Sequence, residues 1–216
     1  MLCAVPATLA GCTDGTLPPA LQPAADRHDA LAISDGLEQM IDARKDKPED
    51  RWGAYDTVRQ WPQQTAEYAF GRAALAGRVA QLEGVSAVGL IGDMEKWARL
   101  SHKLNPNFRD GAATRMLGTL YVLAPAAMVS HGDSEVGLEM LEELHEKHPE
   151  VLENKLRLSE AYVALDDHEP AYLLICQCLR NAVKLRPDDQ RLLSKLTESV
   201  GGHEELQCKT RKAEDE

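Results

Sequence analysis

Three stretches of the chain end alike, and this repetition constrains the fold more than any other feature. Lys103-Leu104-Asn105-Pro106, Glu146-Lys147-His148-Pro149 and Lys184-Leu185-Arg186-Pro187 each set basic residues just ahead of a proline. Cations oppose the negative end of a helix, and proline cannot continue one. The three prolines lie 43 and 38 residues apart. Helices punctuated at such a period stack into an array in which each unit buries its apolar face against the next. Composition points the same way. Leu and Ala together number 57 against 16 for Val and Ile, which favours helix over strand.

The residues inside the units resemble the tetratricopeptide repeat. Leu117-Gly118-Thr119-Leu120-Tyr121 matches the L-G-x-x-Y pattern of a helix A, and Leu158-Ser159-Glu160-Ala161-Tyr162 repeats it with Ser in the Gly place. With Leu158 at repeat position 7, Ala171 falls at position 20, where helix B needs a small residue. Small residues let the two helices approach, while Leu and Tyr fill the groove between them. Val136, Met140, Leu141 and Leu144 form a helical stripe, started by Asp133 or Ser134 as cap. Between these helices, residues 124–132 make a longer turn than the generic repeat has, and such loops are where function concentrates.

Upstream, Asp29 to Arg44 reads as a helix with Ala30, Ile33, Leu37, Met40 and Ile41 on one face, ended by a break over residues 45–49. Trp61-Pro62 opens a second helix of about Gln63 to Leu82. Gly84 to Gly92 is a break, and Asp93 to Leu104 is helical with Met94, Trp97, Ala98 and Leu100 apolar. After Pro187, Asp188 or Asp189 caps a helix to about Val200. His203 to Ala213 is expected as a charged capping helix. The expected fold is all-α, a tetratricopeptide-like superhelix of eight or nine helices without strands.

The first residues read as an address. Leu9-Ala10-Gly11-Cys12 resembles a bacterial lipobox, in which the Cys is acylated and the peptide is cut before it. Such a Cys12 would carry two or more chains, enough for durable anchoring. No Lys or Arg precedes Arg27 and the apolar run is short, so the native start is expected upstream of Met1. The expected organisation is a signal segment over 1–11, a flexible tether over 12–27, a repeat domain over 28–208 and a charged tail over 209–216. Of the remaining cysteines, Cys176 and Cys178 lie about 200° apart on a helix and face different ways. Either can pair with Cys208 in an oxidising compartment, or they are simply small buried residues.

Several function classes recede. A net charge of −11 and a pI near 5.1 oppose a broad nucleic-acid footprint. There is no Gly-x-Ser-x-Gly elbow, P-loop or dinucleotide fingerprint, so no enzyme activity and no cofactor are expected. His145 and His148 share a helix face, with Glu142 nearby, but a metal site needs a further ligand. No metal is expected.

From Trp97 to Leu179 the chain is similar to a particular family, the T component of TRAP-transporter-associated proteins (TatT). The resemblance rests on Asn105-Pro106, Arg115-Met116-Leu117-Gly118-Thr119-Leu120-Tyr121, Ala124-Pro125, Ser130-His131-Gly132-Asp133, His148-Pro149 and Glu153-Asn154-Lys155-Leu156-Arg157-Leu158-Ser159-Glu160. It implies a periplasmic, membrane-anchored lipoprotein that pairs with the solute-binding protein of a TRAP transporter. It also implies assembly into a homotrimer and an inner groove for a small organic or lipophilic ligand. The competing expectation is an envelope scaffold that holds another protein and has no ligand of its own.

In a repeat superhelix, helix A lines the concave side. Counting from Leu117 puts Arg115, Thr119, Val122 and Leu123 there, and counting from Leu158 adds Leu156, Glu160, Val163 and Ala164. The expectation is a partly apolar groove in which Arg115 and Glu160 pair across adjacent helices.

Overall fold

The computed structural model describes residues 15–202, 206 and 208. The lipobox with Cys12, the tail over 209–216 and most of the expected helix from His203 to Ala213 lie outside the described residues. Among those described, the chain is all-helical, with ten α-helices and no strand.

The short helix α1 spans Gln22–Asp26, α2 Ala30–Asp42 and α3 Pro48–Val58. Then come α4 at Ala66–Glu83 and α5 at Val88–Leu104, followed by α6 at Ala112–Leu123 and α7 at Ser134–Lys147. Next come α8 at Leu152–Ala164, α9 at His168–Arg180 and α10 at Pro187–Ser199. Helices α4 and α5, α6 and α7, and α8 and α9 form packed pairs, and α6, α8 and α10 stack in order. This is the arrangement that the helix-end signals and the L-G-x-x-Y pattern imply.

The close approach of α6 and α7 depends on two facing glycines. A Cβ on Gly118 would sit 2.7 Å from Leu141 Cγ and 2.9 Å from the Gly137 carbonyl. One on Gly137 would sit 2.7 Å from the Gly118 carbonyl. In the next pair, Ser159 and Ala171 are fully buried, and Ser159 returns its hydroxyl to the Leu156 carbonyl at 2.8 Å.

Two expectations are corrected, and one helix was not expected. Residues 12–27 were expected to be a tether, but their described part is packed. Leu21, Ala24 and Ala25 are buried, and Gly15 lies so close to Gly53 of α3 that a Cβ would meet its nitrogen at 2.2 Å. The sequence holds a helix in α3 that its pattern does not announce. Pro48 sits at its first turn and the Lys47 amide donates to Asp50 Oδ2 at 2.8 Å, but its buried residues are the adjacent trio Gly53, Ala54 and Tyr55, with Val58. Adjacent positions point around the helix, so no stripe forms. Finally, α5 begins at Val88 rather than Asp93, through Gly89 and Gly92. Leu90 and Ile91 pack on the core there, and that burial outweighs about 1 kcal/mol per glycine.

The superhelix curls until α10 meets α2. Arg186, at the start of α10, pairs with Glu38 and Asp42 of α2, and Arg78 of α4 pairs with Glu38 at 2.5 Å and Asp188 at 3.0 Å. Burial alone would raise the Glu38 pKa, but the hydrogen bonds and charges of Arg78 and Arg186 hold it below its ordinary value. At the C-terminal end, a disulfide joins Cys176 to Cys208, and Cys178 is a buried free thiol. The bridge holds Leu206 fully buried against the last core cluster.

Candidate functional site

Helices α6, α8 and α10 stack side by side, and this layer is the one expected to line the inner face. Arg115 projects from α6, and its Nη1 donates to Asn154 Oδ1 at 2.5 Å on α8. Asn154 is fully buried and donates from Nδ2 to the Asp110 carbonyl at 3.4 Å. One turn further along α8, Arg157 donates to Glu160 Oε2 and, across to α10, to Asp189 Oδ1, both at 2.8 Å. Asp189 is buried. Burial raises its pKa above the ordinary value although Arg157 and Arg186 pull it down.

The expected Arg115–Glu160 pair does not form. Glu160 is held by Arg157, three residues away on its own helix, which leaves Arg115 without a carboxylate within 4.0 Å among the described residues. Burial pulls the Arg115 pKa below its ordinary value, while the field of Glu153 restores part of it. A guanidinium remains charged nonetheless, with five donors in a planar fork. Only one of them has a described partner here.

The other expected groove residues are scattered. Leu156 is fully buried in the C-terminal core and lines no groove. Val122 is packed at the α6–α7 crossing, where its Cγ2 is 2.9 Å from the position a Gly137 Cβ would take. Leu123 is exposed and Ala164 is exposed, while Val163 packs against the C-terminal core. Thr119 is half-buried, and its Oγ1 is enclosed without a hydrogen-bond partner. The inner face is therefore more polar than the sequence suggests.

The long turn after α6 is pinned by a residue that sequence reasoning missed. Glu95 of α5 is 2% exposed. Its Oε1 accepts from the Tyr121 hydroxyl at 3.0 Å and the His131 amide at 2.9 Å, and lies 3.1 Å from His131 Nδ1. Its Oε2 accepts from the Ser130 amide at 3.0 Å. Gly132 then lies flat on the Tyr121 ring, where a Cβ would meet ring carbons at 2.4 Å. Burial and the bond to Glu95 push the Tyr121 phenol up to about 12, so it stays a donor. A signal existed: Glu95 lies on the same helical stripe as Ile91 and Ala98, and a charge on an apolar stripe implies buried partners.

His145 and His148 sit on α7 and at its end. His145 Nδ1 is enclosed without a partner, and burial lowers its pKa, so the ring is neutral near pH 7. Glu142 instead accepts from the Tyr162 hydroxyl at 2.6 Å. No group of three or more His, Cys, Asp or Glu among the described residues could hold a metal ion. No helix among them is long and apolar enough to cross a membrane. No protein-family model matches the chain, and no curated protein matches it.

Proposed function

We propose that the chain is a binding and assembly protein of the bacterial envelope, of the TatT type. In this reading a tetratricopeptide-like body, anchored through Cys12, works beside the solute receptor of a TRAP-type transporter. It engages an acidic group, on the receptor or on a small organic ligand, through its inner face.

Arg115 carries the reading. A partly buried guanidinium with one amide partner and no carboxylate loses hydration without full compensation. A carboxylate or phosphate would complete it with charge-assisted, bidentate bonds. The Cys176–Cys208 disulfide supports an oxidising compartment, because such bridges persist outside the cytosol. The inner face offers donors and ion pairs rather than a nucleophile set beside a base, which favours binding over catalysis.

The test is a calorimetric titration of the solute receptor encoded nearest to the chain's gene into the full-length protein. Saturable binding that weakens about tenfold in Arg115→Gln is expected. Absence of binding at micromolar concentrations would remove the transporter partnership and leave the scaffold reading.

A further inference from the structure

Where α10 meets α2, the helices α2, α3, α4 and α10 line an open surface cavity of about 610 Å³. Four guanidinium groups line it (Arg44, Arg51, Arg78 and Arg191) against two carboxylates, Asp46 and Asp188, with Ile41 and Gln81 completing the wall. This excess of positive charge occurs in a chain whose net charge is −11. Two of the arginines are committed to the fold. Arg51 is held by Asp46 at 2.7 Å and the Arg78 carbonyl at 3.3 Å, and Arg78 is held by Glu38, Asp188 and Gln81. The other two are not. Arg191 spends Nη2 on Asp188 at 3.0 Å and keeps its remaining donors. The Arg44 guanidinium has no partner among the described residues. Arg44 is exposed, and its left-handed backbone at φ +55° caps the end of α2, with its amide on the Ile41 carbonyl at 3.0 Å and the Lys45 amide on the Met40 carbonyl at 2.9 Å.

We propose that this cavity is a binding site for a small polyanion carrying carboxylate or phosphate groups, with Arg44 and Arg191 as the ligand-facing forks. Arg51 and Arg78, neutralised by Asp46, Glu38 and Asp188, form a fixed polar floor, so binding requires little rearrangement. Bidentate guanidinium contacts suit both oxyanions. The volume suits a molecule of metabolite size. Because the walls come from both ends of the superhelix, the occupant ties those ends together and raises the melting temperature. The site is separate from the Arg115 face, and its fate is independent of the function proposed above.

The experiment uses the full-length chain at low salt, with citrate and pyrophosphate as separate probes in calorimetry and thermal melts. Saturable one-to-one binding of either probe is expected, with an upward melting shift. Citrate alone assigns carboxylate, pyrophosphate alone assigns phosphoryl, and both assign the shared chemistry. Arg44→Ala and Arg191→Ala should each weaken binding on the order of tenfold. Arg115→Gln should leave it unchanged. Arg44 holds nothing else in place, so its variant should fold normally and show a circular dichroism spectrum like the wild type. Absence of saturable heat up to about 10 mM of either probe, or equal affinity in Arg44→Ala, overturns the proposal.

Discussion

Replacing Glu95 by Gln tests how the long turn after α6 is held. The substitution keeps shape and volume but turns one carboxylate oxygen into an NH2 donor. Oε1 serves Tyr121 and His131, so the least costly orientation puts the new nitrogen at the Oε2 position, facing the Ser130 amide. Two donors then oppose each other, and the Ser130 N–H loses its acceptor. That loss costs about 1–3 kcal/mol, with water recovering part of it because Ser130 is exposed. The surviving bonds also lose their charge assistance. A local destabilisation of about 2 kcal/mol corresponds to roughly 30-fold less protection from amide exchange. Hydrogen exchange resolved at Ser130 and His131 is the assay, with helix α9 amides as the internal control. The Tyr121 phenol, held at about 12 partly by Glu95, should titrate lower in the variant. Unchanged protection at both amides would refute the claim that Glu95 holds the turn.

Three further outcomes follow from the packing and the charges. Gly118→Leu should lower unfolding stability by ~1–3 kcal/mol in urea denaturation, since its Cβ meets a backbone carbonyl that cannot move aside; a stability equal to wild type would mean that α6 and α7 do not cross at these glycines. Breaking the Cys176–Cys208 bridge, with a sequence separation of 32, should cost roughly 3–4 kcal/mol on the chain-entropy account, visible as a lower melting temperature under reductant or in Cys208→Ala. Glu38 has a folded pKa below its ordinary 4.5, so its contribution is present above 4.5 and is lost as pH falls through the lower folded value; Glu38→Gln should flatten the stability profile in that acid range, and an unchanged slope would contradict the pairing.

The parts of the fold that could be read in the sequence are those whose information is local. Helices α6 to α10 announce themselves through apolar stripes, the basic last turns of α7 and α9 and the proline that opens α10, and Gly118 and Ala171 mark where helices touch. Helix α3 was hidden because the passing chain at Gly15 to Leu17 covers a second side of it, so its buried residues follow no stripe. The closing ion pairs were hidden for another reason. Arg186 and Glu38 are 148 residues apart, and nothing local to either residue names the other. Arg115 was legible as a residue on the side of α6 that meets the next repeat, because repeat register fixes its direction toward α8. Its partner was not, because Arg157 reaches Glu160 within one helix turn and a short-range partner costs less to hold than one on a neighbouring helix.

The central claim is that the inner face serves a TRAP-type receptor in the envelope. The most direct measurement is affinity purification of the full-length chain from its native envelope, with mass spectrometry on the proteins and on the organic extract, beside an Arg115→Glu variant. The account predicts that a TRAP-type solute receptor is recovered with the wild-type chain and lost with the variant. Recovery of unrelated envelope proteins alone, equally with both chains, would contradict it.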